Sequence, residues 1–386
     1  KLLKAFAFRL YVSKRNRHLH RQIDVAAAIW NHCIALHRRY YRLYGKHLSS
    51  ARLQLHITKL KKRPAFAFWN DLGSQAIQDI AQRIDRAYRR FFDSVKARKT
   101  GQKVSRVSPP GFKKRLKYRS FTLKQAGYKF LDGNRVRIGS RTYRYFQSRD
   151  IDGDVKTLTV KRDPLGDIYI CLSVETTLET VNRTATGKMA GADFGLKTFL
   201  KLSDGSDVKS PEHLKGSLKA FRKASRELSR KKKGSMNRKK AKFNLARIHR
   251  TVKHRRDAFH WETANRLCGE YDVLCLEDLS LKGMQSLWGR KVSDLGFGNF
   301  VRVLETQARK HGTRLVFVDR FYPSTKTCSF CREVNGKVTL RDRRWECPVC
   351  GTIHDRDLNA AVNLLRVGIS TLGLGDVRPA EPAVAV

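Results

Sequence analysis

Residues 328–365 read CSFCREVNGKVTLRDRRWECPVCGTIHDRDLNAAVNLL, and the reading of this stretch organises the rest of the chain. Cys328 and Cys331, then Cys347 and Cys350, form two C-x2-C pairs separated by fifteen residues. That is the spacing of a structural zinc ribbon, in which each pair sits on a tight turn and all four sulfurs lie about 2.3 Å from one tetrahedral metal. With every ligand position filled by Cys, no coordination site stays open, so the Zn²⁺ is expected to hold the fold rather than perform chemistry. Trp345 and Gly351 suit a minimal knuckle. Four unrelated core cysteines are the plain alternative, but they rarely fall at this spacing. Directly after the second pair, HDRDLNAAVNLL starts a helix, with Asp355 or Asp357 in its opening turn.

Upstream of the ribbon, strands alternate with helices. AGADFG and TFLKLSDG read as a hairpin start, residues 214–269 as a long basic helical stretch, YDVLCLEDL as a strand, residues 298–311 as a helix and TRLVFVDR as a strand. No Gly-rich phosphate loop follows the first strand, so a ribonuclease-H-like α/β layer suits this order better than a doubly wound nucleotide-binding sheet. Asp193 lies inside an apolar strand and Glu277 ends another. A buried carboxylate costs several kcal/mol without a cation, hydrogen bond or proton, so each needs a partner. Together with Asp355 or Asp357 they can converge at one sheet edge. Three carboxylates at one point suit two Mg²⁺ ions about 3.5–4 Å apart, the arrangement of two-metal phosphodiester hydrolysis. Taken singly, each acid has a plainer reading: an ion pair for Asp193, a solvent contact for Glu277, a helix N-cap for Asp355 or Asp357. Asp278 should face the other side of its strand and is the weaker candidate.

The remaining residues set the wider frame. At 386 residues the chain is long enough for two or three compact units, and 41% hydrophobic residues leave enough apolar surface for a core. Lys and Arg number 81 against 34 Asp and Glu, a formal charge of +47. Self-repulsion on that scale is relieved by a polyanion, so an extended nucleic acid is the expected partner rather than a small acidic metabolite. No run of 18 apolar residues occurs, and the basic start has no small-residue cleavage site after its short apolar stretch, so membrane spanning and secretion are not expected. Cys33, Cys171, Cys268 and Cys275 lie among apolar neighbours and read as buried, reduced thiols of a reducing compartment.

The N-terminal half reads as a strand over 1–12, a helical unit from Ile23 to about Ala97, a basic connector over 98–117, and short alternating strands from Tyr118 to about Val174. If the first strand completes the later sheet, the helical unit is an insertion into a β-barrel. Tyr40, Tyr41, Tyr44, Phe66, Phe68 and Trp69 interleave with basic residues and can stack on nucleobases, although core packing suits most of them better. Between Phe221 and Asp257 stand sixteen Lys/Arg and two acids. A merely solvated helix face would carry Glu at i,i+4 for relief, so Arg230, Lys231, Lys232, Lys233, Arg238, Lys239, Lys240, Arg247 and Arg250 are expected to contact phosphate.

In combination, GADFGLK (191–197), LSRKKKGS (228–235), AKFNLARIHR (241–250), VLCLEDLSLKGM (273–284), GFGNF (296–300) with HGTRLV (311–316), YPSTKTCSFC (322–331) and WECPVCGTIHDRDLNAAVNLL (345–365) resemble the transposon-encoded TnpB proteins, RNA-guided nucleases related to type V CRISPR effectors. The matches cover most of residues 187–367; the N-terminal half is similar in layout and length. The resemblance implies an α/β multidomain chain. Its parts are a wedge β-barrel over 1–12 and 118–186, a helical recognition insertion over 13–117, a RuvC nuclease domain over 187–323 and 353–372, a zinc ribbon over 324–352 and a flexible tail over 373–386. It implies Asp193, Glu277 and Asp357 as the Mg²⁺-binding catalytic triad, the second acid of DRD being the ligand. It further implies a transposon-end guide RNA, target double-stranded DNA with an adjacent motif, and cleavage of guide-matched DNA. A monomer in a prokaryotic cytoplasm is expected. Arg332 stands where Gly commonly follows the second Cys. Two rivals remain: a transposase using the same acids for strand transfer, and a silent RNA-guided repressor.

Overall fold

The computed structural model describes residues 2–177, 183–211, 213–279, 289, 292–339 and 341–373. The expected tail beyond 373 and residues 280–284 of the matched stretch lie outside them. The chain divides into two compact units, Lys1–Leu178 and Glu179–Val386. Among the described residues no helix is long and apolar enough to cross a membrane.

In the first unit, β1 (Leu2–Arg9) is followed by helices α1 (Asn16–Tyr44), α2 (Ser50–Lys61) and α3 (Ser74–Lys99), with a 3₁₀ segment at Pro64–Asp71 before α3. Then come β2 (Ser120–Leu123), β3 (Tyr128–Leu131), β4 (Arg135–Ile138), β5 (Arg141–Arg144), β6 (Asp154–Arg162) and β7 (Ile168–Thr176). The alternation in β1 is real: Phe6, Phe8 and Leu10 are buried, and β1 pairs antiparallel with β7 from Leu2↔Thr176 to Arg9↔Tyr169. One sheet has the order β1-β7-β6-β2 and a second β3-β4-β5; the bridge Leu10↔Tyr145 links them. Ile23, Ala27, Trp30 and Ile34 of α1 and Ile77, Ile80, Ile84 and Tyr88 of α3 share one core with the strands. Trp69 is buried in that core, so it does not offer a face to a nucleobase, while Tyr41, Tyr44 and Phe68 remain exposed.

In the second unit, β8 (Met189–Phe194), β9 (Thr198–Leu202) and β10 (Asp207–Lys209) form an antiparallel meander. Helices α4 (His213–Arg230) and α5 (Met236–Glu270) lead to β11 (Val273–Glu277); then follow α6 (Phe297–His311), β12 (Arg314–Val318), the hairpin β13 (Arg344–Glu346) with β14 (Ile353–Asp355), and α7 (Arg356–Thr371). The sheet order is β10-β9-β8-β11-β12, with β8, β11 and β12 parallel. The long basic helical stretch expected over 214–269 is built as two helices. Gly234 adopts φ +89° and Ser235 caps α5 by accepting from the Arg238 N–H, so a turn at 231–235 separates them. Both signals stand in the sequence KKKGS, since Gly supplies the left-handed backbone and Ser the cap.

Side-chain alternation divides this sheet into two faces. Leu274 and Leu276 of β11 join Ala264, Leu267, Phe300 and Leu304 of α5 and α6 on one face. Val273 and Cys275 join Met189, Val316 and Leu365 of α7 on the other. The helix α7 reaches that second face because two glycines give way to it. A Cβ on Gly191 would stand 1.9 Å from the Ala361 carbonyl oxygen, and one on Gly368 would stand 2.3 Å from Cys275 Sγ. Gly191→Ala is therefore expected to lower the melting temperature, with a cost of about 1–3 kcal/mol or more for overpacking against backbone. Thermal unfolding identical to that of the native chain would show that α7 does not lie where this contact places it.

Candidate active site and metal centre

Position along the strands decides where the acids point. Met189 and Gly191 face α7, so Asp193, two residues on, faces α7 as well; Val273 and Cys275 face α7, so Glu277 does too. Leu276 pairs with Ala192 in the parallel β8–β11 ladder, and Asp193 and Glu277 are the next residues along each strand. They are neighbours at the carboxyl ends of adjacent parallel strands, a usual position for ligand sites in such sheets. Asp357 lies in the first turn of α7, one turn before Ala361, the residue that rests on Gly191.

The electrostatics follow from this convergence. Asp193 is 8% exposed. Burial pushes its carboxyl well above the usual carboxylate range, and the charges of Asp357 and Glu277 push it further. The Arg356 charge and the Phe194 backbone N–H offset this only in part. Burial, with the neighbouring Asp278, also raises Glu277. On β9, Lys201 pairs in register with Asp193, yet its ammonium goes to Asp207 at 2.7 Å and the Gly205 carbonyl at 2.9 Å.

Asp355 and Asp357 take different roles. The Asp355 side chain accepts the Leu358 N–H at 3.0 Å and is the N-cap of α7. Asp357 is gripped by two guanidinium groups: Arg343 Nη1 donates to Oδ2 at 2.8 Å, and Arg356 donates from Nε at 3.1 Å and Nη2 at 2.8 Å to Oδ1. Asp278 is half exposed and paired with Arg320. Sequence reading did not single out Arg343 or Arg356; in so basic a chain nothing local distinguishes them from the solvated majority. The three carboxylates do not stand at ligand spacing, for among the described residues only the four cysteines bring all ligand atoms within 4.8 Å of one another.

Those cysteines meet the demands of one tetrahedral ion. Cys328 and Cys350 sulfurs are 3.7 Å apart and those of Cys331 and Cys347 3.5 Å. A tetrahedron with metal–sulfur bonds of about 2.3 Å has edges near 3.8 Å. The two knuckles are built alike: Arg332 N–H donates to the Cys328 carbonyl at 3.0 Å, and Gly351 N–H to the Cys347 carbonyl at 3.0 Å. Both following residues have left-handed backbone, Arg332 at φ +72° and Gly351 at φ +69°. The knuckle is thus unaltered by Arg332, but an L side chain there carries a cost of about 1 kcal/mol that Gly lacks. Arg332→Gly is expected to raise ribbon stability by up to that amount, read as slower zinc loss to a chelator. His354 Nε2 lies 3.0 Å from Cys328 Sγ, and the His354 ring packs on Trp345. Among the described residues, the core proper of this ribbon is Cys328, Val338, Trp345 and Cys347.

The basic run forms the hairpin of α4 and α5, with Phe221 against His249 and Ala224 and Val252 buried. Arg230, Lys231, Lys232, Lys233, Lys239, Lys240 and Arg247 are exposed. Arg238 is differently placed: its Nη1 donates to the Leu228 carbonyl at 2.7 Å and the Lys231 carbonyl at 2.9 Å, closing the turn. Arg250 is half-buried.

Comparison with known proteins agrees with the motif reading. The OrfB_IS605 family, described as "Probable transposase", matches residues 169–287. The TNB domain of the Cas12f1-like family matches residues 297–364. A "Putative RNA-guided DNA endonuclease" of Streptomyces pristinaespiralis is 30% identical over 97% of this chain and 92% of its own length. The "Putative RNA-guided DNA endonuclease InsQ" of Escherichia coli (strain K12) is 25% identical over 98% and 95%. "TnpB-like protein L79" of Acanthamoeba polyphaga mimivirus is 30% identical over 55% and 44%. Identity sustained along nearly the whole of two relatives makes this chain a member of the TnpB family.

Proposed function

We propose that the protein is an RNA-guided DNA endonuclease whose second unit is an RNase H-like, RuvC-type nuclease layer. Asp193, Glu277 and Asp357 bind its Mg²⁺, and the four cysteines hold a structural Zn²⁺ in an inserted ribbon. The observation that carries the reading is Asp193: its carboxyl is driven upward by burial and by two other acids, and the Arg356 charge offsets this only in part. Oxygen donors of this kind suit Mg²⁺. Two such ions would supply an activated water and neutralise the leaving oxygen of a phosphodiester. The chain's own part is to fix the acids on two strand ends and one helix start. Arg343 and Arg356 compensate the Asp357 charge.

The exposed cations of the α4–α5 hairpin are proposed to track the nucleic-acid backbone, and the strand-rich first unit with its helical insertion to serve as wedge and recognition lobes. The partners are then a transposon-end guide RNA and duplex DNA beside a short motif. Base pairing supplies the sequence choice and the protein reads backbone shape. A monomeric, cytoplasmic protein of a prokaryote fits this reading.

Purification followed by sequencing of bound RNA tests it. A single RNA species, together with Mg²⁺-dependent cleavage only of DNA matching its guide segment, is the expected result. Strand transfer without RNA would establish the transposase that the first family's description names; guide-directed binding without nicking would establish a repressor.

A further inference from the structure

Asn359 and Asn363 lie four residues apart on the inner face of α7, 2% and 0% exposed. Buried amides at that depth need all their hydrogen bonds met, and here every donor is used. Asn359 Nδ2 donates to the Thr327 carbonyl at 2.8 Å and the Ser324 carbonyl at 3.3 Å. Asn363 Nδ2 donates to the same two carbonyls, at 2.6 and 2.9 Å. Four N–H bonds thus meet the lone pairs of two carbonyl oxygens. Asn359 Oδ1 accepts the Ser329 N–H at 2.9 Å, and Asn363 Oδ1 accepts from Arg366 at 2.5 Å. The segment so held, 324–329, contains Cys328 and its flanking residues.

We propose that Asn359 and Asn363 are positioning residues: their double amide clamp makes the first zinc knuckle and the start of α7 a single body, so that the ribbon sets the placement of Asp357. The clamp grips the knuckle from the same helix that carries Asp357, two residues before Asn359. Two further ties converge there. His354 meets Cys328 Sγ and leads directly into the cap of α7. Arg343, from the ribbon's second half, grips Asp357 by its side chain and accepts the Arg356 N–H at its carbonyl at 2.9 Å. A ribbon attached only at its two chain ends needs no such network. The function assigned to Asp357 rests on the nuclease reading above; the clamp itself does not.

The test uses full-length protein and two independent readouts. Zinc loss to a chromogenic chelator is followed without nucleic acid, and the Mg²⁺ concentration for half-maximal guided cleavage is measured in the assembled complex. Asn363→Ala is expected to accelerate zinc loss and to raise half-saturating Mg²⁺, each by about 10-fold, the scale of outer-shell effects on metal sites, with guide RNA affinity unchanged. Should that variant fail to fold, Asn359→Ala, which leaves the Asn363 donors in place, and the nearly isosteric Asn363→Asp, which removes both donors, carry the same expectation. A simple loss of stability would reduce the active fraction and leave half-saturating Mg²⁺ where it is; that outcome overturns the positioning role. Zinc loss at the native rate in folded variants overturns the clamp. If the native protein shows no guided cleavage, the nuclease reading fails while the zinc readout still decides the clamp.

Discussion

Asp193→Asn is expected to abolish cleavage and, at the same time, to make the metal-free protein more stable. The loss of activity follows from the proposed ligand role, because the amide lacks the negative charge that a divalent cation needs; a fall on the order of 10³-fold is in line with removal of a principal electrostatic stabiliser. The gain in stability follows from the environment of the side chain. In the native chain a carboxylate is held in a buried position beside two others. The amide keeps the shape, keeps an oxygen to accept the Phe194 N–H, and turns its own N–H groups toward acids that repel the native residue. A gain of about 1–3 kcal/mol is expected, the range for relieving an ill-matched buried polar group.

The pH dependence has a definite sign. A carboxyl raised in the folded state contributes stability that is fully present below its unfolded value of about 3.9 and is lost as pH rises through the folded value. The melting temperature of Asp193→Asn should therefore exceed that of the native protein by more as pH increases from acid to neutral. Mg²⁺ should narrow the difference by stabilising only the native acid. Equal melting temperatures across that range, or guided cleavage persisting at ordinary Mg²⁺, would reject the assignment. RNA binding should be retained, since no basic residue is altered.

Cys347→Ser carries the second large effect. Among the described residues the ribbon's core is four side chains, two of them cysteines of the candidate metal site, too little apolar surface to order a segment of this length without a staple. Structural zinc supplies about 10–16 kcal/mol of apparent folding free energy in small zinc modules, and replacing a thiolate with a hydroxyl forfeits a large share of it. Loss of bound zinc by elemental analysis and new protease cleavage within 324–352 are the expected results. The parallel strands and α5, which do not depend on the ribbon for their core, should stay protected. A variant retaining full zinc with native protease resistance would contradict a four-thiolate site.

Local signals were legible wherever the chemistry is local. The C-x2-C spacing, the alternation in β1 and β7 and the amphipathic stripes of α1 and α3 each depend on residues within a few positions of one another. The break at 231–235 was equally local, in Gly234 and Ser235, but the unbroken run of charge around it obscured the turn. Short strands such as β2 and β5, four residues each, carry too little alternation to stand out. Asp355 and Asp357 show the limit most clearly. Both open the same helix, spacing favours neither, and only the backbone geometry makes Asp355 the cap while Asp357 is gripped by Arg343 and Arg356.

By itself the sequence determined the two C-x2-C pairs, the candidate acids short of a choice between Asp355 and Asp357, the order of strands and helices and the surplus of positive charge, because each is a matter of residue type and short-range period. Tertiary structure alone decided that Asp193 and Glu277 face the same helix, that Gly191 and Gly368 admit it, and that Asn359 and Asn363 tie it to the Cys328 knuckle. Those relations join residues far apart in the chain, and burial there fixes what an otherwise ordinary glycine, asparagine or arginine is for.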